Sequence, residues 1–203
     1  MANSSIPIGI YVGYPNASDL VATEKFESDY SAFAKLMGTA PAYVDTYVDY
    51  NQPVSEWIDN SGWAAGSSAG SSVARTMIPV IGLPMASTAA GSMSPDQQFK
   101  AFASGQYDSV VQGIVKQWSD NGFKNLVFRP GWEMNLMGPT YAGSDAQSQA
   151  DWIAAFQHIY TVIHQAAAAD GVRTYLSVVP ATSSTGAVAV PLSTPRAMIS
   201  ASL

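Results

Sequence analysis

Residues 129–135 place an arginine, a tryptophan, a glutamate and an asparagine in close succession. They follow directly on residues 126–128, an apolar run that predicts a buried strand. In α/β proteins, the loops at the carboxyl ends of parallel strands carry the side chains that bind ligands and perform catalysis. A carboxyl group there, beside an aromatic ring and an arginine, suits acid–base chemistry on a sugar. Glu133 is therefore the candidate general acid/base.

The same residues resemble a known signature. Residues 129–135 are similar to the strand-four pattern of glycoside hydrolase family 26, which reads roughly Arg-Pro-x-His-Glu-Met-Asn. That family consists mostly of endo-β-1,4-mannanases of the retaining clan, built as (β/α)8 TIM barrels. The resemblance implies that Glu133 is the acid/base, that Arg129 orients and charge-balances the site, and that Asn135 binds substrate. Trp132 stands where the family usually has histidine, which replaces a polar contact with a stacking surface. The implied ligand is a mannan-type polysaccharide or oligosaccharide, with no cofactor and no metal.

A retaining mechanism needs a second carboxyl group about 5 Å from the first. In the family that nucleophile ends strand seven, but this sequence has no Asp or Glu after Asp170 and so offers no candidate nucleophile. Asp45 and Asp49, at or after the end of a predicted second strand, could pair with Glu133 as an inverting pair. For Asp49, capping a loop or binding substrate hydroxyl groups is the more typical use.

Several aromatic side chains fall in or near predicted rim loops, where they could stack on sugar rings. Trp132, Tyr141 and Tyr47 are assigned to substrate binding, together with Asp49. Packing inside the protein is the alternative for each aromatic residue. The remaining candidates are Trp57, Trp63 and Tyr14.

Apolar runs alternate with helical patterns along the chain and predict an α/β fold with a parallel sheet. The predicted strands are residues 6–14, 42–47, 76–83, 125–128 and 174–179. Ser94, Pro95 and Gln97 form a strong helix start, with a predicted break near Gly105. The Gly/Ser-rich run 61–72 predicts a surface loop.

Five strand–helix units are fewer than a barrel contains, and a complete barrel takes about 250 residues. We therefore expect residues 1–180 to form a partial, apparently truncated (β/α)8-type domain. Residues 181–203 contain no acidic residue and predict an irregular tail. Exposed first and fifth strands in such a partial barrel predict self-association through their edges.

The amino-acid composition argues against several classes of protein. The net charge is −6 and charged residues make up 12%, which argues against nucleic-acid binding. Cysteine is absent, so disulfides are excluded, and no apolar run approaches the roughly 18 residues of a membrane span. His158 and His164 do not share a helix face as metal ligands would, and predict packing or surface roles. A surface rich in small polar residues favours an extracellular or periplasmic protein, with the cytoplasm left open.

Two alternatives remain beside a hydrolase. The first is a non-catalytic carbohydrate-binding remnant of such an enzyme. The second is an unrelated open α/β protein, in which Glu133 and Arg129 form a structural ion pair at a strand end.

Overall fold

The computed structural model describes residues 9–10, 15, 19–131 and 145–176, and within them five parallel strands form one sheet. The strands lie side by side in the order in which they occur along the chain. They are β1 (Gly9–Ile10), β2 (Tyr43–Tyr47), β3 (Ile78–Leu83), β4 (Asn125–Pro130) and β5 (Arg173–Leu176). The prediction of an α/β fold with a parallel sheet is confirmed. The predicted tail, residues 181–203, lies outside the described residues.

Helices occupy every connection between these strands that the structure describes. They are α1 (Leu20–Met37), α2 (Trp57–Gly70), α3 (Pro95–Ala103), α4 (Asp108–Asp120) and α5 (Ala146–Ala169), with short 3₁₀ helices at Val54–Glu56 and Ala74–Thr76. The predicted start of α3 is confirmed, because Ser94 and Gln97 form a reciprocal capping box around Pro95. The predicted break is also present, since Gly105 has a positive φ between α3 and α4.

The prediction of a surface loop at residues 61–72 is wrong, because most of that run is the helix α2. Its small side chains let α2 and α4 approach closely: a Cβ atom on Gly62 would lie 2.8 Å from Oε1 of Gln117. Ser61 is buried at the same contact, where its Oγ accepts a hydrogen bond of 2.9 Å from Nε1 of Trp118. Glycine and serine here serve helix packing rather than a turn.

The helices cover one face of the sheet. Alternate strand residues point to that face, and register partners in neighbouring strands point to the same side. Ile81 and Phe128 are such partners, and both belong to the main buried cluster. The helix side chains of that cluster include Trp57, Phe99, Phe102, Trp118, Trp152 and Phe156. Val44 of β2 instead packs with Phe26 of α1 in a smaller buried cluster.

The intervening strand residues define the opposite side of the sheet, here called the Asp45 face. By the strand registers it includes Tyr43, Asp45, Tyr47, Val80, Gly82, Val127, Arg129 and Tyr175. This face carries charged and aromatic side chains, whereas the strand residues of the helix-covered face are apolar apart from Thr46 and Thr174. The fold thus places polar chemistry on one side of the sheet and the hydrophobic core on the other.

Candidate functional site

Arg129 and Tyr47 meet near the carboxyl ends of β4 and β2. The two strands flank β3, and Tyr47, Gly82 and Arg129 are register partners at one level of the sheet. Because Gly82 has no side chain, nothing separates its two neighbours on this face. Nη1 of Arg129 donates a hydrogen bond of 3.4 Å to the Tyr47 hydroxyl group, and the guanidinium carbon lies 5.8 Å from the tyrosine ring centroid. The structure therefore brings together two of the predicted site residues.

Asp45 joins this pair from within β2. Its Oδ1 atom lies 3.8 Å from Nη1 of Arg129, and the two side chains are 30% and 14% exposed. Burial raises the pKa of Asp45 above its ordinary value, although the positive charge of Arg129 acts in the opposite direction. The ion pair is thus too long to offset the loss of water around the carboxylate.

Both charged groups keep hydrogen-bonding capacity that the described residues leave unused. Nε of Arg129 is buried and has no hydrogen-bond partner within the described part of the chain. Asp45 makes only the 3.8 Å contact to Arg129 there, which is longer than a hydrogen bond. Polar groups buried in proteins are normally satisfied, so the unpartnered Nε of Arg129, next to the half-buried carboxylate of Asp45, marks the Asp45 face as a place where a ligand could supply partners.

The sequence predicts Asp45 as a candidate second carboxylate at or after the end of the second strand. That placement is wrong, because Asp45 is the middle residue of β2 and its side chain lies on the sheet face. Asp49 does follow the strand. Its Oδ1 accepts hydrogen bonds from the backbone N–H (2.9 Å) and the side-chain Nδ2 (3.1 Å) of Asn51, so it caps a loop. Its predicted role in substrate binding stays a prediction.

A buried glutamine fixes the loop that follows β3. Oε1 of Gln98 accepts a hydrogen bond of 2.7 Å from the backbone N–H of Ser87, and Nε2 donates to the carbonyl groups of Ser87 and Met93. The Ser87 hydroxyl group in turn donates to the carbonyl oxygen of Gln52, at 2.7 Å. The loops after β2 and β3 are therefore tied to each other and to α3, which holds the rim of the Asp45 face in place.

The chain leaves β4 through a tightly packed glycine. The N–H of Gly131 donates to the carbonyl oxygen of Leu83 at 2.8 Å, which extends the contact between β4 and β3 by one residue. Gly131 has φ +71°, and a Cβ atom there would lie 2.7 Å from Cζ2 of Trp152. Trp152 is 1% exposed, and its buried Nε1 has no partner among the described residues. Gly131 is thus held in place by β3 on one side and by Trp152 of α5 on the other.

Four predicted site residues lie outside the described residues: Trp132, Glu133, Asn135 and Tyr141. Tyr14, the other strand-end candidate, lies outside them as well. The roles of these residues stay predictions.

The placement of Trp57 and Trp63 in rim loops is wrong. Both belong to α2, of which Trp57 is the first residue. Trp57 is 0% exposed and stacks on Phe102 with the ring centroids 6.1 Å apart, so it belongs to the core. Trp63 is 45% exposed on the helix.

The two histidines take part in contacts between elements. Nε2 of His158 lies 2.7 Å from Oδ1 of Asp108, which joins α5 to α4. Nδ1 of His164 lies 3.0 Å from Oγ1 of Thr174, and burial lowers the pKa of His164. In the described ranges, no group of three or more His, Cys, Asp or Glu residues could hold a metal ion. None of the helices described there is long and apolar enough to cross a membrane.

Comparisons with known proteins give little further information. No protein-family model matches the chain, and no curated protein matches it. Among solved structures, it is similar to the crystal structure of the YdhT protein from Bacillus subtilis, with 17% sequence identity and a TM-score of 0.49. The match covers 86% of this chain but only 55% of the other, so the chain spans little more than half the length of that protein. At this level the similarity assigns no activity.

Proposed function

We propose that this chain is a glycoside hydrolase of the family 26 type, acting on β-1,4-linked, mannan-type polysaccharide, with Glu133 as acid/base. The observation that carries the proposal is the sequence Arg-Pro-Gly-Trp-Glu-Met-Asn at residues 129–135, which begins at the carboxyl end of a central parallel strand. The position of Arg129 beside Tyr47 on the Asp45 face supports it, because carbohydrate sites combine aromatic rings with hydrogen-bonding side chains.

We also propose that the sheet is part of a (β/α)8 barrel. Two features of the described residues support this: the strands follow each other in chain order, and the helices pack against one face. Consecutive units of a barrel have both features. A doubly wound sheet reverses its strand order and carries helices on both faces. The Asp45 face would then line the barrel interior, with Arg129 near the carboxyl-terminal rim where catalytic residues lie.

In this mechanism Glu133 protonates the glycosidic oxygen as the sugar leaves, and then removes a proton from the incoming water. A second carboxylate attacks the anomeric carbon in the first step. For Glu133 to hold its proton near neutral pH, burial or a nearby negative charge must raise its pKa. Arg129, which is always positively charged, orients the substrate in this proposal. We expect the protein to act outside the cytoplasm, where such polysaccharides occur.

A second candidate function is carbohydrate binding without cleavage. Residues 171–203 contain no Asp or Glu, so they supply no nucleophile of the kind the retaining mechanism uses. A protein with the aromatic and polar site but a single catalytic carboxyl group would bind oligosaccharides and release them intact.

One experiment separates these functions. The chain is incubated with mannohexaose and with cellohexaose, products are followed by chromatography, and binding is measured by calorimetry. The matched variants are Glu133→Gln and Glu56→Gln, of which Glu56 is exposed in a 3₁₀ helix and serves as the control. A hydrolase should lose about 100-fold or more of its activity in Glu133→Gln, since that is the usual contribution of a general acid. Glu56→Gln should leave the rate unchanged.

Other outcomes of this experiment also distinguish hydrolysis from binding without cleavage. Saturable binding without cleavage supports the binding function, and full activity in Glu133→Gln refutes the acid/base assignment. Product released with inverted anomeric configuration, observed by NMR, would contradict the retaining mechanism. If the chain neither binds nor cleaves these sugars, both proposals fail.

A further inference from the structure

The spacing of Asp45 and Arg129 suits a bridging oxygen atom. Their closest atoms, Oδ1 and Nη1, are 3.8 Å apart, which is beyond hydrogen-bond length. One oxygen atom can lie about 2.8 Å from both. That oxygen must accept a hydrogen bond from the guanidinium group and donate one to the carboxylate, since these groups are donor only and acceptor only. A water molecule meets both requirements, and so does a hydroxyl group of a ligand that replaces that water.

The surroundings of Asp45 and Arg129 supply few hydrogen-bond partners, so a purely structural role for this pair would be costly. Nε of Arg129 is buried and has no hydrogen-bond partner among the described residues, and a buried polar group without a partner opposes folding. The Asp45 carboxylate beside it is 30% exposed and has no hydrogen bond among those residues. The neighbours of Asp45 at its own level of the sheet are Val80 and, beyond it, Val127, which supply no hydrogen bonds from their side chains. Costly polar groups that converge at one place are a mark of functional sites.

We propose that Asp45 and Arg129 together bind one hydroxyl group of a carbohydrate ligand, which makes Asp45 a specificity-determining residue. The Tyr47 ring, against which the guanidinium group rests, forms the adjacent wall of this subsite. The inference rests on the proposed function, because it assumes a sugar ligand on the Asp45 face. It adds Asp45, the middle residue of β2, to a site for which the sequence already predicts Arg129 and Tyr47.

The test measures oligosaccharide affinity by calorimetry in the Glu133→Gln background, so that the ligand is not consumed. Asp45→Ala removes the acceptor, Asp45→Asn keeps one acceptor oxygen, and Asp59→Asn changes an exposed acid on α2 as the control. Mannohexaose should bind about tenfold or more weakly to Asp45→Ala, as expected for a lost hydrogen bond to a charged group. Asp45→Asn should lose less affinity for mannohexaose than Asp45→Ala, and Asp59→Asn should bind it as tightly as the parent protein does.

A set of monodeoxy manno-oligosaccharides supplies the readout that a merely structural role would not produce. One analogue should bind the parent protein about tenfold more weakly, and Asp45→Ala should weaken the binding of that same analogue no further. If Asp45→Ala fails to fold, Asp45→Asn and the deoxy analogues give the same comparison.

The results distinguish a failure of this inference from a failure of the proposed function. If mannohexaose binds saturably while the Asp45 variants stay within twofold of the parent, the inference is wrong and the proposed function stands. A loss of affinity in the Asp45 variants that is equal for every deoxy analogue also overturns it, because no single hydroxyl group is then recognised. If no oligosaccharide binds the parent protein, the inference and the proposed function fall together.

Discussion

Gly131, the first residue after β4, should not tolerate a single additional carbon atom. Its φ of +71° is in the left-handed region, where a residue with a Cβ atom costs about 1–2 kcal/mol. That Cβ atom would also lie 2.7 Å from Cζ2 and 2.9 Å from Nε1 of Trp152. Trp152 is buried and stacks on Phe156 with ring centroids 5.4 Å apart, so it has little room to move. Overpacking of this kind costs about 1–3 kcal/mol. We therefore expect Gly131→Ala to lower the free energy of unfolding by about 2–5 kcal/mol.

Gly171 provides a matched control for this prediction. Its φ is +65°, but no atom lies within 4 Å of a Cβ atom placed there. Gly171→Ala should therefore lower the free energy of unfolding only by the cost of the left-handed backbone, without a clash. The reduced entropy of the unfolded chain, which stabilises an alanine variant, is common to both substitutions and cancels in the comparison. The difference between the two variants isolates the clash with Trp152.

Urea denaturation with linear extrapolation measures both free energies. A double-mutant cycle with Trp152→Phe adds a second check, because phenylalanine lacks Cζ2, the indole atom closest to the added Cβ atom. In that background Gly131→Ala should cost about 1 kcal/mol less than in the parent protein. The reasoning is refuted if Gly131→Ala and Gly171→Ala are equally destabilising, or if Trp152→Phe leaves the cost of Gly131→Ala unchanged.

Two further predictions concern the packing of the helices and strands. Ser61→Ala leaves the buried N–H of Trp118 unsatisfied and should destabilise the protein by about 1–3 kcal/mol in the same assay; a change below about 0.5 kcal/mol would contradict this. Burial lowers the pKa of His164, so the unfolded chain, whose histidine has a pKa near 6.5, binds the proton more tightly. Stability should thus be lost as the pH falls through about 6.5 toward the lower pKa of the folded state. His164→Gln should flatten this dependence, and an unchanged slope would show that another group causes it.

The parts of the fold that could be predicted from the sequence depend on neighbouring residues. The capping box of Ser94 and Gln97 lies within one helical turn. Gly38, which ends α1, needs only its own left-handed backbone conformation, with φ 67°. The buried strands β3 and β4 were equally recognisable, because each is a short apolar run between turn signals. For such features the local signal and the structure agree.

The features that were missed depend on partners distant in the chain. Small residues such as Ser61 and Gly62 predict a loop when the sequence is considered alone. The packing of α4 against them explains why they lie in a helix. The proximity of Asp45 to Arg129 follows from the order and register of three strands, which no single segment encodes. The alternation of β2 does place Asp45 and Tyr47 on one face, and that signal could have separated Asp45 from the loop residue Asp49.

The chain-order arrangement of the strands has a consequence for how this architecture can grow. Each strand pairs with the one synthesised just before it, so every new strand–helix unit leaving the ribosome finds its docking edge already present. Among the five described strands, none has to insert between two that are already paired. Gain or loss of a whole unit beside these five strands would leave the pairings among them intact, which makes the unit a natural module for duplication and exchange.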